Sequence, residues 1–231
     1  MNNLNPYTLT KEQYQELYKE VLLFAQVGGV TNDVDSIWKM CEEEFCNELM
    51  PAIEAEDRIE IIDGVCDSWV TIVQLHNFYM SKPTWELPVP EATYLGDFYE
   101  LEYMIGNRYS SLVHNSMRKL LFVSEALSEE YKFNLCKAIK EVNRSNMTKF
   151  PPLQEVLNKY GDKNMSLRAS LDCEELSSGK YKDVVAEVRH PFDDRGFPFG
   201  PLVVFRADHG NGKICKPAWA FQEPNFDHCW L

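Results

Sequence analysis

The stretch that decides the fold occupies residues 43–67 and reads EEFCNELMPAIEAEDRIEIIDGVCD. It contains nine acidic side chains and a single arginine. Two acidic pairs, Glu44 with Glu48 and Asp63 with Asp67, are each four residues apart, so each pair shares one face if its segment is helical. Like charges at this spacing destabilise a helix unless a cation lies between them. The stretch therefore predicts two neighbouring helices whose carboxylates bind cations.

The paired acids continue stripes of apolar residues instead of lying opposite them. Burying an unpaired carboxylate is very costly, so buried carboxylates in proteins are paired or bind metal ions. Mg²⁺ prefers oxygen ligands of this kind, so the two inward pairs predict a magnesium site. The acids outside these stripes that are expected to form an ordinary solvated face are Glu42, Glu54, Glu56 and Asp57. The first stripe comprises Ile37, Cys41, Glu44, Glu48 and Ala52, and the second Ile59, Asp63, Cys66 or Asp67, Val70 and Val73.

Size and composition narrow the class of protein. The 231 residues fit one large domain or a domain with an appendage. Neither a signal peptide nor a membrane span is expected, since the mean hydropathy is −0.36 and no apolar run approaches ~20 residues. The seven cysteines form no CxxC pair, so reduced thiols in a cytoplasm are expected instead of a structural zinc site. A pI near 4.9 argues against binding to nucleic acid.

Local signals predict an all-α fold in the first part of the chain. A capping box at residues 10–13 begins a helix that ends at Gly28 and Gly29. Asp33 or Asp35 is expected to cap the next helix, which carries the first acidic pair. Pro51 should kink or thin that helix, because proline lacks a backbone donor. Helices are also predicted over 58–80, capped by Asp57, over 94–126 with a break near Gly106, and over 128–148, beginning at Ser128.

The character of the sequence changes after residue 150, where prolines and glycines interrupt every pattern. Residues 184–188 and 201–205 are predicted to be short strands, and residues 82–93, with three prolines, a linker. We expect a helical bundle, a catalytic core over residues 1–150, with a loop-rich C-terminal appendage over 151–231 packed on it.

Positive charge is concentrated in residues 132–168, which hold eight basic side chains against three acids. Such a segment is often only a solvated basic face. A metal-bound polyphosphate, however, needs carboxylates for its metals and cationic or amide donors for its other oxygens. An acidic first half and a basic segment in the second half fit that requirement.

Four segments resemble the all-alpha nucleoside triphosphate pyrophosphohydrolases, the MazG-like group, and especially its phage-encoded members. The resemblance extends over about residues 15–150 and 205–225, with the segments in the same order. They are 44–53 (EFCNELMPAI), 57–67 (DRIEIIDGVCD), 141–150 (EVNRSNMTKF) and 212–217 (GKICKP).

The resemblance implies a helical bundle in which carboxylates from two helices hold Mg²⁺, with Mn²⁺ as an alternative. It implies cleavage of a (deoxy)nucleoside triphosphate between the α and β phosphates, which gives a monophosphate and pyrophosphate. A homo-oligomer, dimer or tetramer, is expected in a cytoplasm, which is the host's if the protein is viral. No nucleic acid or membrane is expected as a partner.

Residue roles follow from the same resemblance. The metal ligands are Glu44, Glu48, Asp63 and Asp67, and Glu48 or Glu60 accepts the proton of the attacking water. The substrate-binding residues are Arg144, Asn146, Lys149, Lys213 and Lys216. Base choice is expected to involve groups such as Phe24, Gln26 and Trp38, although each is more often a core or surface residue.

Two departures from the family pattern affect the acidic motifs. The family has glutamates three apart, and that place holds Asn47 here, so the ligand is Asn47, Glu48 or both. The acid three before the second aspartate is replaced by Gly64, so Asp63 would substitute from one residue earlier. Residues 151–204 are an insertion to which the sequence assigns no role.

Three other functions are weighed against this one. A di-iron carboxylate bundle needs two Glu-x-x-His motifs, and the sequence has one, Glu187 to His190. A histidine-based hydrolase has weaker support, because the five histidines are scattered. A non-catalytic helical module could bind nucleotide or a partner and use the acids for a structural metal.

Overall fold

The computed structural model describes residues 5–29, 33–80, 94–161, 165–176, 178–191, 200–210 and 212–231. These residues are mostly helical, as predicted, and none of the described helices is long and apolar enough to cross a membrane. The predicted linker at 82–93 lies outside the described residues. The helices are α1 (Lys11–Gly28), α2 (Val34–Cys41), α3 (Met50–Glu54), α4 (Arg58–Met80), α5 (Tyr94–Gly106), α6 (Ser116–Tyr131), α7 (Leu135–Met147), α8 (Leu153–Tyr160) and α9 (Met165–Leu176).

Besides these helices, the described residues include three further helical segments and two strands. A π-helical segment (Glu42–Leu49) joins α2 to α3, and 3-10 turns occupy Ser110–Asn115 and Asp208–Gly210. Strands β1 (Val185–Arg189) and β2 (Leu202–Arg206) pair antiparallel. The two strands agree with the sequence prediction to within one residue at each end.

The chain divides into two compact units. The first comprises Met1–Leu22, Thr31–Asn143 and Asn225–Leu231, and the second comprises Leu23–Val30 and Arg144–Pro224. The predicted boundary after residue 150 therefore differs from the division after residue 143, and the last residues of the chain belong to the first unit.

Side-chain caps begin the first helices where the sequence predicts them. The Thr10 backbone N–H donates to Gln13 Oε1 (2.9 Å), and the Gln13 N–H donates back to Thr10 Oγ1 (3.2 Å). This reciprocal pair is the predicted capping box. Asp33 caps α2 by accepting from the Asp35 N–H. Asp57 Oδ1 accepts from the N–H groups of residues 59 and 60 at the start of α4.

Helix α4 forms the centre of the first unit. It is buried around most of its circumference, as expected for a helix that is apolar on all sides. The Trp69 ring packs edge-on against Tyr14 at 5.8 Å, and its Nε1 donates to Ser124 Oγ (3.0 Å). The hydroxyl of Tyr18 is 3.0 Å from Nδ1 of His76. These contacts join α4 to α1 and α6 through hydrogen-bonded aromatic side chains.

The prediction that a helix begins at Ser128 is wrong. Helix α6 continues to Tyr131 and ends because Lys132 adopts a left-handed conformation, with φ of 62°. Ser128 Oγ donates to the Phe133 carbonyl (2.7 Å) instead of capping a helix. The cap of α7 is Asn134, whose Oδ1 accepts from the Lys137 N–H (2.9 Å). The break predicted near Gly106 is confirmed, since α5 ends there.

The disturbance predicted at Pro51 takes the form of the π-helical segment that precedes it. The Met50 N–H donates to the Phe45 carbonyl, five residues back. The backbone stays helical at both junctions, so α2, the π-helical segment and α3 form one continuous rod. Proline lacks a donor and crowds the carbonyl four residues earlier, and a wider turn relieves that crowding.

The second unit has its own apolar core, in which α8 and α9 pack with the β1–β2 hairpin. The strands pair with Val185 opposite Arg206 and Arg189 opposite Leu202. The Leu153 N–H donates to the Pro201 carbonyl (2.9 Å) and joins α8 to the start of β2. The core residues include Val156, Tyr160, Ala169, Cys173, Val203, Phe205 and Cys215.

Replacing Gly64 by alanine is expected to lower the free energy of unfolding by about 1–3 kcal/mol, a usual cost of overpacking. A Cβ at Gly64 would be 3.1 Å from both Cα and Cβ of Leu49, and backbone cannot move aside easily. Gly106→Ala is the matched control, because a Cβ there meets no heavy atom within 4 Å. Urea unfolding of both variants measures the difference. Equal stability of the two would contradict close packing of α4 on the π-helical segment.

Candidate functional site

The four predicted metal ligands all lie in the first unit. Glu44 and Glu48 are on the π-helical segment, and Asp63 and Asp67 are on α4, which packs against it. Glu44, Asp63 and Asp67 are half-buried, whereas Glu48 is exposed. The predicted inward stripes are therefore wrong for Glu48, and also for Ile59, which is 62 % exposed.

Three of these carboxylates interact electrostatically. Burial raises the pKa of Glu44 to about 8, and the negative charges of Asp67 and Glu48 add to the effect. A hydrogen bond with Glu48 also favours the protonated form of Glu44. Asp63 and Asp67 contribute, after burial, to the raised pKa of the Cys66 thiol. Near neutral pH, Glu44 is therefore a neutral carboxylic acid next to two other acidic side chains.

Glu44 and Glu48 remain neighbours in the π-helical backbone. A helix with i→i+5 hydrogen bonds holds more than four residues per turn, compared with about 3.6 in an α-helix. Residues four apart in such a segment are less than one turn apart, as residues three apart are in an α-helix. The signal for the π-helical segment in the sequence is Pro51, which follows it directly after Met50.

The four candidate ligands are of the chemical type that a hard divalent cation prefers, but they are not arranged around a common point. All four candidate ligands are carboxylates, which Mg²⁺ and Mn²⁺ accept. Among the described side chains, no group of three or more His, Cys, Asp or Glu residues could hold a metal ion as they stand. The arrangement is a set of interacting carboxylates, not a preformed metal cage.

Neither Glu60 nor Asn47 joins this group through a described contact. Both side chains are exposed. Glu60 is in the first turn of α4, where its N–H donates to Asp57 Oδ1 (3.3 Å). The predicted roles of Glu60 as a proton acceptor and of Asn47 as a ligand therefore stay predictions.

The predicted substrate-binding residues all lie in the second unit, and Phe221 brings two of the lysines together. Lys149 Nζ lies 5.8 Å from the Phe221 ring centroid, and Lys216 Nζ lies 4.6 Å from the same centroid. Lys149 also donates to Asn146 Oδ1 (2.5 Å) and lies 5.5 Å from the Phe24 ring. The described contacts thus gather Asn146, Lys149 and Lys216 around one aromatic ring.

Hydrogen bonds hold the chain around Phe221 against the end of α7. Arg144 Nη1 donates to Gln222 Oε1 (2.7 Å), and Ser145 Oγ donates to the Gln222 carbonyl (2.8 Å). The Gln222 N–H donates to Thr148 Oγ1 (2.9 Å). Sequence reasoning missed Phe221 and Gln222. The available signal was an aromatic residue and an amide shortly after the lysine-rich segment at 213–217.

Lys213 lies on the same tail, three residues before Lys216, and is exposed. Its carbonyl accepts from the Ala207 N–H (3.1 Å), which fixes the tail beside the end of β2. No described contact joins its ammonium to the Phe221 ring.

Two of the three suggested base contacts belong to the packing of the protein. Phe24 is buried and stacks on Phe150, with ring centroids 5.3 Å apart. Trp38 is buried and donates from Nε1 to the Tyr79 hydroxyl (3.3 Å). Gln26 is exposed. The described contacts of Phe24 and Trp38 support the interpretation that these two residues belong to the core and do not contact a base.

The Glu-x-x-His motif of the di-iron alternative lies on a strand. Glu187 is in the middle of β1, and His190 follows the strand directly. Residues three apart in extended chain point to opposite faces, whereas on a helix they share one. Glu187 is instead bonded to Arg189. The helical motif that a di-iron site requires is therefore not formed here.

Compared with known proteins, the chain matches no family model, no curated protein sequence and no solved structure.

Replacing Glu44 by glutamine is expected to raise the free energy of unfolding at pH 9 by about 2 kcal/mol. At pH 5 the same substitution is expected to leave it unchanged. The pKa of Glu44 in the folded protein, about 8, lies above its ordinary value of 4.5. The folded state therefore keeps a proton that the unfolded state loses, and stability falls as pH rises between these values.

Unfolding is measured in urea with EDTA at both pH values. Glu54→Gln is the control, since Glu54 is an exposed acid on α3. If the two variants followed the wild type in parallel at both pH values, Glu44 would not carry the retained proton.

Proposed function

We propose that this protein is a Mg²⁺-dependent (deoxy)nucleoside triphosphate pyrophosphohydrolase of the all-alpha, MazG-like type. The observation that carries the proposal is the contact around Phe221. Lys149 belongs to segment 141–150 and Lys216 to segment 212–217, and the resemblance assigns both segments to the same task. The two ammonium groups lie over one ring although 67 positions separate them in the sequence.

The charge at this cluster supports an anionic ligand. The side chains of Arg144, Lys149 and Lys216 gather at the tail segment around Phe221 and Gln222. Charge-assisted hydrogen bonds from lysine and arginine are among the stronger contacts to phosphate oxygens. We therefore assign these residues, with Asn146 and Lys213, to the non-bridging oxygens of the substrate.

The carboxylates of the first unit would hold the metal. Glu44, Glu48, Asp63 and Asp67 are the proposed ligands, with Mg²⁺ preferred and Mn²⁺ as the alternative. When bound, the metal would lower the pKa of the attacking water and offset charge on the pyrophosphate leaving group. Glu44 must lose its proton before it can ligate, so binding would release a proton and strengthen as pH rises toward 8.

The π-helical segment supports the match with the first family motif despite its longer spacing. Glu44 and Glu48 are four residues apart instead of three. In the wider π-helical turn this spacing is again less than one turn, so both carboxylates remain neighbours. Glu48 hydrogen-bonds with Glu44, whereas Asn47 makes no such contact among the described residues, which favours Glu48 as the ligand.

Glu48 is also the better candidate for accepting the proton of the attacking water. It is exposed and next to Glu44, so it can exchange protons with both the site and solvent. Glu60, exposed on the first turn of α4, stays the alternative base.

A non-catalytic module that binds nucleotide or a partner is the second candidate. The cationic side chains around Phe221 support nucleotide binding with or without turnover. A panel of nucleotides with Mg²⁺, with monophosphate and diphosphate products resolved, separates the two. Nucleotide binding without release of pyrophosphate across the panel would favour the module.

The proposal includes a homo-oligomer in a cytoplasm. Light scattering measures the mass of the protein in solution and tests whether it is a dimer or a tetramer.

Glu48→Gln and Asp67→Asn are each expected to abolish Mg²⁺-dependent release of pyrophosphate, to below about 1 % of wild type. Each removes a proposed ligand while keeping side-chain size. Product release is measured by chromatography, and circular dichroism verifies that helicity is retained. Glu54→Gln, an exposed acid on α3 outside the site, should keep normal turnover. Near-normal turnover in Glu48→Gln and Asp67→Asn would reject the assignment.

Lys149→Gln and Lys216→Gln are each expected to raise KM about tenfold or more, as lost charge-assisted contacts to phosphate would do. Lys182→Gln is the matched control, since Lys182 is exposed in the same unit and outside the cluster. Steady-state kinetics at constant ionic strength provide the comparison. Equal KM values for all three variants would remove the cluster from substrate binding.

A further inference from the structure

One face of the β1–β2 hairpin carries two arginines. Side chains at alternate positions of a strand share a face, so Glu187 and Arg189 of β1 lie on the same side. Arg206 pairs with Val185 across the hairpin, and paired residues also share a face. The two guanidinium groups and one carboxylate therefore occupy the same side of the sheet.

Both guanidinium groups lie against the same glycine. A Cβ built on Gly29, the residue after α1, would be 3.1 Å from Arg189 Nη2 and 3.5 Å from Arg206 Nη2. Gly29 also has φ of +64°, a conformation that residues with a side chain rarely adopt. Any other residue would strain the backbone and push the guanidinium groups away, so glycine here permits the two arginines to converge.

Two nitrogen donors of the Arg189 and Arg206 guanidinium groups have acceptors among the described residues. Glu187 Oε2 accepts from Arg189 Nη2, and the Gly212 carbonyl accepts from Arg206 Nη1 (3.3 Å). Two other donors, Arg189 Nε and Arg206 Nη2, are buried, and no acceptor lies within hydrogen-bond reach of either among the residues described. Burial and the charge of Arg189 lower the pKa of Arg206.

Buried donors on charged groups are costly to leave without an acceptor, more so than donors on neutral groups. The C-terminal end of α1 supplies partial negative charge nearby, but its carbonyls do not accept from these two nitrogens. Asp208, whose carboxylate lies beside Gly212, forms no ion pair with Arg206 among the described residues. The described residues therefore supply no acceptor for these two donors.

We propose that Arg189 and Arg206, converging on Gly29, form a binding site for the phosphate group of a small molecule. Guanidinium groups bind oxyanions through paired N–H donors, and a phosphate can accept from two of them at once. The Glu187 carboxylate already serves this pair, and the two guanidinium groups still leave a net positive charge, which favours an anion. A phosphate offers more acceptor oxygens than a carboxylate and can therefore accept from both guanidinium groups. The site shares no residue with the lysine cluster around Phe221, so it does not depend on the proposed catalytic activity.

Phenylglyoxal, which modifies guanidinium groups, tests the site in the wild-type protein. Labelling of each arginine is followed by mass spectrometry with and without inorganic phosphate, at ionic strength held constant with sodium chloride. Phosphate is expected to slow labelling of Arg189 and Arg206 at least fivefold. Arg168, an exposed arginine in the same unit, is the internal control and should be labelled at the same rate throughout. Unchanged rates at Arg189 and Arg206 would overturn the proposal.

Two further arms identify the ligand chemistry. A nucleoside monophosphate that protects as well as inorganic phosphate shows that the phosphate group alone is recognised, and stronger protection by the nucleotide shows that more of it is bound. Either result supports the site. Equal protection by acetate at the same concentration would overturn the choice of phosphate.

Variants provide an independent measurement. In a protein that carries Lys149→Gln and Lys216→Gln, so that the other cationic cluster is disabled, Arg206→Gln is expected to weaken phosphate binding at least tenfold by calorimetry. Arg168→Gln is the matched control and should leave binding unchanged. If Arg206→Gln does not fold, Arg206→Lys keeps the charge and removes the paired donors, and it should also lose binding. Full binding by Arg206→Lys together with unprotected labelling of the wild type would reject the site.

Discussion

The close approach of α4 to the π-helical segment is the constraint on which the acidic group depends. A Cβ at Gly64 would lie 3.1 Å from Cα and Cβ of Leu49, closer than ordinary van der Waals contact. The absence of a side chain at Gly64 brings the helices near enough for Asp67 of α4 to act on Glu44. A side chain at Gly64 would crowd the backbone and side chain of Leu49, so the small residue at this position belongs to the packing of α4 on the π-helical segment.

Capping residues made the helix starts predictable, because a cap is a local interaction within four residues. Thr10 with Gln13, Asp33 and Asp57 all act as the sequence indicates. The start assigned to Ser128 failed because a serine before two glutamates is also an ordinary helix interior. What ends α6 is the left-handed Lys132, a residue with no local preference for that conformation. Tertiary context decides such a position, and a single sequence does not record it.

In the candidate site, too, the sequence predicted local features but not those that depend on tertiary structure. The spacing of acids along the chain identified which carboxylates would be neighbours, and Glu44, Glu48 and Asp67 are. The spacing could not establish how deeply each carboxylate is buried, because it was interpreted with an ideal α-helix where the backbone is π-helical. That change of turn size rotates the positions after Glu44 and leaves Glu48 in solvent. The partners of Lys149 and Lys216 were also beyond prediction, because Phe221 reaches them only through folding of the tail.

Residues 151–204, to which the sequence assigned no role, account for how that tail is held. They supply β1 and the first part of β2, and β2 in turn gives the tail an edge to pair with. The Cys215 N–H donates to the Phe205 carbonyl (2.8 Å), and Arg206 and Ile214 form an isolated bridge. Lys216 follows directly from this pairing, so its position depends on the hairpin. The same hairpin presents Arg189 and Arg206 to Gly29. Residues 151–204 therefore help to position Lys216 of the proposed substrate-binding cluster, and together with Arg206 they contribute to the proposed phosphate site.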